Sequence, residues 1–269
     1  MRKKTVIFAI LILVVITFIF AFRTDLKVKR YKIYSDKINS VIKLAFITDL
    51  HSCYYGEGQK ELLDCIKTQE PDIVLFGGDI ADDRLPHENW MITLEALSKS
   101  YPCYYVSGNH EYWSSEIEFI KQTITSYGID VLDGKYRVIE INGQKINICG
   151  IDDFEIGEEE YAAQLENTMA GRDLSLYSIL LAHRPEHIDL YLNYSFDLVL
   201  SGHSHGGQWR IPFILNGLYA PNQGFFPKYA GGKYEHGNTA HIVSRGLSKN
   251  STRIPRIFNP PELVIVELH

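Results

Sequence analysis

Asp197-Leu198-Val199-Leu200-Ser201-Gly202-His203-Ser204-His205-Gly206-Gly207 couples an apolar run to two histidines spaced two apart between glycines. In an extended segment, side chains two residues apart point the same way, and flanking glycines leave room for a bound ion. The same construction recurs upstream. Asp49-Leu50-His51 closes the apolar run 43–48, Gly77-Gly78-Asp79 closes 72–76, Gly108-Asn109-His110-Glu111 closes 102–106, and His183 follows 178–181. Each run reads as a strand. Each donor therefore falls just past a strand's carboxyl end, where ligands bind in open α/β sheets.

Helical patterns over 59–69, 87–100, 115–127, 158–169 and 185–194 separate these runs, and 137–149 reads as a hairpin turned at Asn142-Gly143. Residues 233–244 and 263–268 add further strands. In 27–34 basic and apolar residues alternate, as on the solvent face of an edge strand. The expectation is one α/β domain over residues 24–269, with 113–181 filled by core elements that leave no room for a helical cap over the site.

Residues 1–23 read differently. Thr5 to Phe22 is an uncharged apolar run of 18 residues, at the short end of what spans a bilayer as a helix. Phe20-Ala21-Phe22 is too bulky for a signal cleavage site, so the run reads as an uncleaved, single-pass anchor in the cell membrane. Arg2, Lys3 and Lys4 precede it, and Arg23, Lys27, Lys29, Arg30 and Lys32 follow, so counting positive charges assigns no side to the catalytic domain. Cys53, Cys65, Cys103 and Cys149 are widely spaced and form neither a disulfide framework nor a CxxC metal site.

Charge narrows the partners. The whole chain carries −6; residues 1–23 hold four basic residues and no acid, which leaves 24–269 at −10. So acidic a domain lacks the basic footprint of nucleic-acid binding, and attraction for an anionic substrate has to come from metal ions. Asp49, His51, Asp79, Asn109, His183, His203 and His205 supply seven mixed oxygen and nitrogen donors, close to what two divalent cations sharing a bridging carboxylate require. Any one of these motifs alone is an ordinary turn. Their common placement at strand ends is what points to a dinuclear site. Other metal chemistries lack their signatures: there is no His-Glu-x-x-His helix of a zinc protease and no Pro-Cys-x-x-Cys of a deaminase.

In order and spacing these residues resemble the calcineurin-like metallophosphoesterase family, whose signature runs Asp-x-His, Gly-Asp-x-x-Asp, Gly-Asn-His-Asp/Glu, His and Gly-His-x-His. The resemblance extends to a subgroup of membrane-anchored bacterial enzymes in Gly206-Gly207-Gln208, Val243-Ser244-Arg245-Gly246-Leu247 and Asn259-Pro260-Pro261-Glu262. It implies a four-layer α/β/β/α sandwich behind one N-terminal transmembrane helix. It further implies that Asp49, His51 and His205 hold one metal, that Asn109, His183 and His203 hold the other, and that Asp79 bridges them. His110 would protonate the leaving oxygen or stabilise charge on the phosphoryl group, oriented by Asp82 or by Glu111. Manganese, zinc and iron all suit such ligands.

The implied reaction is hydrolysis of a phosphodiester or pyrophosphate by a hydroxide shared between the metals. The substrate expected from the subgroup is a membrane-associated lipid or UDP-sugar-lipid of the UDP-diacylglucosamine kind. The alternatives are a phosphomonoesterase or nucleotide phosphodiesterase on soluble substrates, and a catalytically silent, membrane-tethered metal-binding protein. After His205 comes an aromatic stretch with Trp209, Phe213, Tyr219, Phe225, Phe226, Tyr229 and Tyr234. Most of these fit a core, but Phe225-Phe226-Pro227 beside a glycine suits a membrane-facing rim.

Overall fold

The computed structural model describes residues 2–249 and 254–269, without the side chains of Arg2 and Lys3, so their charges lie outside what is described. Helix α1 (Arg2–Ala21) leads into β1 (Lys27–Ile33), β2 (Ile42–Ile47), α2 (Lys60–Gln69), β3 (Ile73–Gly77), α3 (Glu88–Ser98) and β4 (Cys103–Val106). Then follow α4 (Asn109–Trp113), α5 (Ile117–Ser126), β5 (Asp130–Val131), β6 (Lys135–Ile141), β7 (Gln144–Gly150), α6 (Glu158–Asn167) and β8 (Tyr177–Leu181). The chain continues through α7 (Ile188–Tyr191), β9 (Leu198–Ser201), β10 (Tyr219–Ala220), β11 (Gly224–Phe225), β12 (Gly232–His236), β13 (Thr239–Val243) and β14 (Glu262–Leu268).

Two six-stranded sheets result, in the orders β1-β14-β2-β3-β4-β5 and β12-β13-β9-β8-β7-β6, with β10-β11 a separate ribbon. Strand periodicity sorts the core. Leu44, Phe46 and Leu75 of the first sheet point inward against Ile148, Ile179, Leu181 and Leu200 of the second. Their neighbours Ala45, Ile47, Val74 and Phe76 point outward beneath Leu62, Ile66, Trp90, Leu94, Ile120 and Ile124 of α2, α3 and α5. On the far side, Cys149, Leu180 and Val199 lie beneath Tyr161, Leu165, Ile188 and Tyr191 of α6 and α7. Burial on both faces explains why these strands read as continuous apolar runs rather than alternating ones. All four cysteines are free.

Three local expectations are refined. The basic run forms β1 at a sheet edge, paired in parallel with β14. The helix expected over 115–127 begins at Ile117 and is preceded by α4, a break set by Ser115 at φ 61°. The segment 185–194 is a single α-turn between two 3₁₀ turns, begun by Pro185. Helix α1 is long and apolar enough to cross a membrane, and its side chains are almost entirely exposed.

Candidate metal centre

Parallel strands β2, β3 and β4 of one sheet and β8 and β9 of the other end side by side. Five of the seven expected donors leave these ends in the left-handed region: Asp49 (φ 50°), His51 (47°), Asp79 (51°), His203 (65°) and His205 (46°). The conformation costs a non-glycine residue about 1 kcal/mol or more, and such strain gathers at sites where the side chain's direction matters more than backbone comfort. The glycines beside them are needed for close approach. A Cβ on Gly202 would lie 2.1 Å from Thr48 Oγ1 and 2.5 Å from Asp49 Oδ2, and one on Gly108 would lie 2.3 Å from Asp79 Oδ1.

Asp79 is the meeting point. Its Oδ2 lies 3.4 Å from His51 Nε2 and 3.3 Å from His183 Nε2, and its Oδ1 accepts the backbone N–H of His110 at 2.8 Å. Asp49, His51 and His205 gather with it in one group, His183 and His203 in a second. Both oxygens of Asp49 are held, Oδ1 by the backbone N–H of His203 at 2.9 Å and Oδ2 by Thr48 Oγ1 at 3.0 Å. Asn109, at the start of α4 and next to His110, is buried.

Four buried atoms of this cluster have no hydrogen-bond partner: His51 Nε2, His183 Nε2, Asp79 Oδ2 and Asn109 Oδ1. Leaving such atoms unpaired costs roughly 1–3 kcal/mol each, and the arrangement makes sense when a cation is their partner. The opposite ring nitrogens are all occupied. His51 Nδ1 lies 3.0 Å from Asp82 Oδ2, His183 Nδ1 donates to Gly77 O at 2.7 Å, His203 Nε2 lies 2.9 Å from Asn222 Oδ1, and His205 Nδ1 lies 3.1 Å from Ser248 Oγ. Holding one nitrogen fixes the tautomer and aims the other at a metal. The donor set therefore fits a divalent metal centre.

The electrostatics agree. Burial works against the Asp79 carboxylate, yet His183, His110 and His51 together hold its pKa well below the usual carboxylate range. Burial opposes charge on His183 too, but Asp79 and Asp49 outweigh it and raise its pKa to about 10. His203 is pushed down to about 3 by burial and the nearby His183 and Arg184, and His205 falls well below its ordinary value by burial and the charge of His51. His203 and His205 are thus neutral and keep a lone pair for a divalent cation, beside the ionised Asp79.

A model of the calcineurin-like phosphoesterase family matches residues 42–207. The chain belongs to this family. An uncharacterized metallophosphoesterase of Helicobacter pylori is 33% identical over 90% of the chain, which spans 64% of that relative's length. Phosphodiesterase YaeI of Escherichia coli is 28% identical over 84% of the chain and 82% of its own. The NAD nucleotidase of Haemophilus influenzae shares the fold, with a TM-score of 0.51 at 16% identity over 78% of this chain and 46% of that one.

In this calcineurin-like phosphoesterase, His110 sits at the rim of the centre, edge-on to His51 with ring centres 4.3 Å apart and against Trp113 at 4.9 Å. The expected orienting groups are rearranged. Asp82 Oδ2 is 3.7 Å from His110 Nδ1 and makes its short contact to His51 instead, while the adjacent Asp83 Oδ1 takes His110 Nδ1 at 2.7 Å. Glu111 does not orient His110 either. Its carboxylate accepts the backbone N–H groups of Asp79 (2.9 Å), Ile80 (2.7 Å), Ala81 (3.0 Å) and Gly108 (2.8 Å), tying the exits of β3 and β4 together. Burial and the Asp79 charge push its pKa up to about 7, against the pull of those four donors.

The motif reading passed over the outer supports Asp83, Asn222, Ser248 and Arg256. Two residues of the tail segments that carry the resemblance do reach the site. Gly246, at φ 71°, packs where a Cβ would lie 2.5 Å from that of Asp49, and Asn259 donates to the carbonyls of His205 (2.7 Å) and Gln208 (3.1 Å).

Proposed function

We propose that this protein is a phosphodiesterase that works with two divalent cations, manganese, zinc or iron, held in one group by Asp49, His51 and His205 and in the other by Asn109, His183 and His203, with Asp79 shared. The observation that carries the reading is that the buried, unpaired atoms His51 Nε2, His183 Nε2 and Asp79 Oδ2 meet at Asp79, with Asn109 Oδ1 likewise buried and unpaired. When bound, such ions supply Lewis acidity toward a phosphoryl oxygen and lower the pKa of water. His110, with Nδ1 held by Asp83, presents Nε2 for a proton on the leaving oxygen. The name of the Escherichia coli relative supports a diester as the bond cleaved.

Packing of two sheets between helices supports the four-layer α/β/β/α sandwich for residues 24–269. Exposure of α1 along its length supports residues 1–23 as a single-pass membrane anchor, and a membrane-associated, lipid-linked phosphodiester or pyrophosphate as substrate. The test is turnover of bis(p-nitrophenyl) phosphate by the full chain in detergent with added manganese. Hydrolysis that a chelator abolishes and manganese restores is expected. Absence of turnover on this diester, with p-nitrophenyl phosphate and a nucleoside diphosphate sugar also untouched, overturns the enzymatic reading in favour of a silent metal-binding protein.

A further inference from the structure

The chain between the candidate metal centre and β12 exposes an unusual amount of apolar surface. Phe213 is 109% exposed, Ile214 82%, and Phe225 and Phe226 70% each. Tyr219 packs edge-on against Phe225 at 5.3 Å and Phe225 lies 6.5 Å from Phe226, so these three rings form a face rather than scattered side chains. Beneath them runs a groove of about 420 Å³ lined by Gln208, Trp209, Leu218, Tyr219, Phe225 and Ile254. Contiguous apolar surface of this kind marks an interaction site in a soluble domain, and tryptophan and tyrosine at its edge favour the water–lipid interface.

What covers this face is indicated by its neighbour. The backbone N–H of Phe258 donates to the carbonyl of Ala21, the last residue of α1, at 2.7 Å. One residue earlier, Ile257 pairs with Trp209 in a parallel bridge, donating to Gln208 O at 3.2 Å and accepting from Arg210 at 2.9 Å. The exit of the apolar helix is thus stitched to the base of the apolar face by adjacent backbone pairs. On the other side the face begins directly after His205, whose carbonyl is held by Asn259 in the same stitch. The basic residues Arg23, Lys27 and Lys29 leave the same helix end, where anionic head groups would lie.

We infer that residues 209–226 form a second membrane contact, inserting Phe213, Ile214, Phe225 and Phe226 into the interfacial layer of the bilayer that α1 spans, so that the metal centre opens at the membrane surface. The inference rests on the reading of α1 as an anchor. It assigns the lipid bilayer itself as the occupant of this face, with Trp209 at the depth of the head groups.

The full chain reconstituted into phosphatidylcholine–phosphatidylglycerol vesicles with brominated acyl chains tests this. Bromine quenches tryptophan only at short range, and Trp90 and Trp113 are common to all forms. The quenched fraction should fall on Trp209→Phe, and should rise above wild type when Phe213→Trp is added to that background. Equal quenching in all three forms overturns the membrane contact. As a second measurement, the triple substitution Phe213→Ser, Phe225→Ser and Phe226→Ser should cost on the order of ten-fold, about 1.4 kcal/mol, in hydrolysis of octadecyl p-nitrophenyl phosphate held in vesicles. It should leave soluble bis(p-nitrophenyl) phosphate unchanged. Equal loss on both diesters also overturns it, whereas a wild type inactive on both refutes the phosphodiesterase reading and leaves the quenching to judge the contact.

Discussion

Asp83 Oδ1 lies 2.7 Å from His110 Nδ1, while the preceding residue, Asp82, turns its Oδ2 to His51 Nδ1 at 3.0 Å. Two consecutive carboxylates thus serve two histidines of different expected roles: one that would donate a proton and one that would hold a metal. Asp82 also accepts the backbone N–H groups of Arg84 and Leu85, both at 3.0 Å, which fixes its own direction. The pair separates by mutation. Asp82→Ala should weaken metal binding by roughly ten- to a hundred-fold, the usual effect of losing a ligand's outer partner. Asp83→Asn should keep the metals and lower kcat. Elemental analysis and steady-state kinetics on the two variants check this, and metal loss from Asp83→Asn contradicts it.

Asp79→Ala and His110→Ala should divide in the same way. Asp79 lies near the donors of both groups, so its loss should remove more than one of the two proposed metal equivalents. His110→Ala should retain both and cut turnover by about 10²–10⁴-fold, the span of general acid catalysis. Substrates with very good leaving groups should suffer less, since they need less proton donation. A chain that carries one ion, unchanged by Asp79→Ala, rules out the dinuclear arrangement.

How much of this was legible from sequence depends on whether a feature was local. The candidate donors could be picked out because each lies past an apolar strand, and strand ends converge by topology; the structure brings six of the seven, Asp49, His51, Asp79, His183, His203 and His205, together. The partners of His110 and His51 could not be read. Asp82 and Asp83 are adjacent, and which one faces which histidine depends on the turn that follows β3, with Asp82 held by the amides of Arg84 and Leu85. By position Glu111 is a candidate to orient His110, but four backbone donors claim it, and backbone hydrogen bonds leave no trace in residue type. Asn222 and Ser248 lie far from His203 and His205 in sequence and reach them only through the loops that follow β10 and β13.

Metal uptake should release protons. Because the folded pKa of His183 is raised to about 10, its ring is protonated at neutral pH in the metal-free protein, and a cation needs the lone pair on Nε2. In the metal-free chain this group stabilises the fold fully below its ordinary value of 6.5, and that contribution is lost as pH rises through about 10. Metal affinity therefore climbs with pH over that window. Calorimetric titration of manganese at neutral pH, repeated in buffers of different ionisation enthalpy, should report at least one proton released per chain. His183→Asn should lower that number. Buffer-independent heats would contradict the assigned charge on His183.

The loop exits should tolerate no side chain. Thr48 Oγ1 and Asp49 Oδ2 lie 2.1 and 2.5 Å from where a Cβ on Gly202 would stand, and neither atom is the free end of a flexible chain. Gly202→Ala must therefore push the Asp49 carboxylate away from the backbone amide of His203. A loss of about 1–3 kcal/mol in stability is expected, in the range of strained or overpacked core sites, together with weaker metal binding. Gly143→Ala, in the hairpin with open space around it, should show only the strain of its positive φ and leave metal binding intact. Denaturant unfolding and metal titration of both variants check the contrast.

The tail supplies the partner of His205 Nδ1. Arg256, buried at 5% exposure, donates from Nη2 to the carbonyl of Arg245 at 2.8 Å and to Ser248 Oγ at 3.0 Å. Ser248 Oγ lies 3.1 Å from His205 Nδ1. A guanidinium can only donate, so the hydroxyl oxygen facing it accepts, and it can accept from the imidazole Nδ1–H as well. When Nε2 gives its lone pair to a cation, a neutral His205 carries its proton on Nδ1, and the Ser248 hydroxyl oxygen is the acceptor within reach of it. Ser248→Ala removes the acceptor and leaves a buried N–H unpaired, so it should weaken metal affinity by roughly ten- to a hundred-fold. Ser248→Thr keeps the oxygen and should keep the affinity. Arg256→Met should weaken it to a smaller degree, because the hydroxyl then loses its enforced direction but not its place. Competition against a chelating dye measures all three, and unchanged affinity in Ser248→Ala would show that His205 needs no such partner.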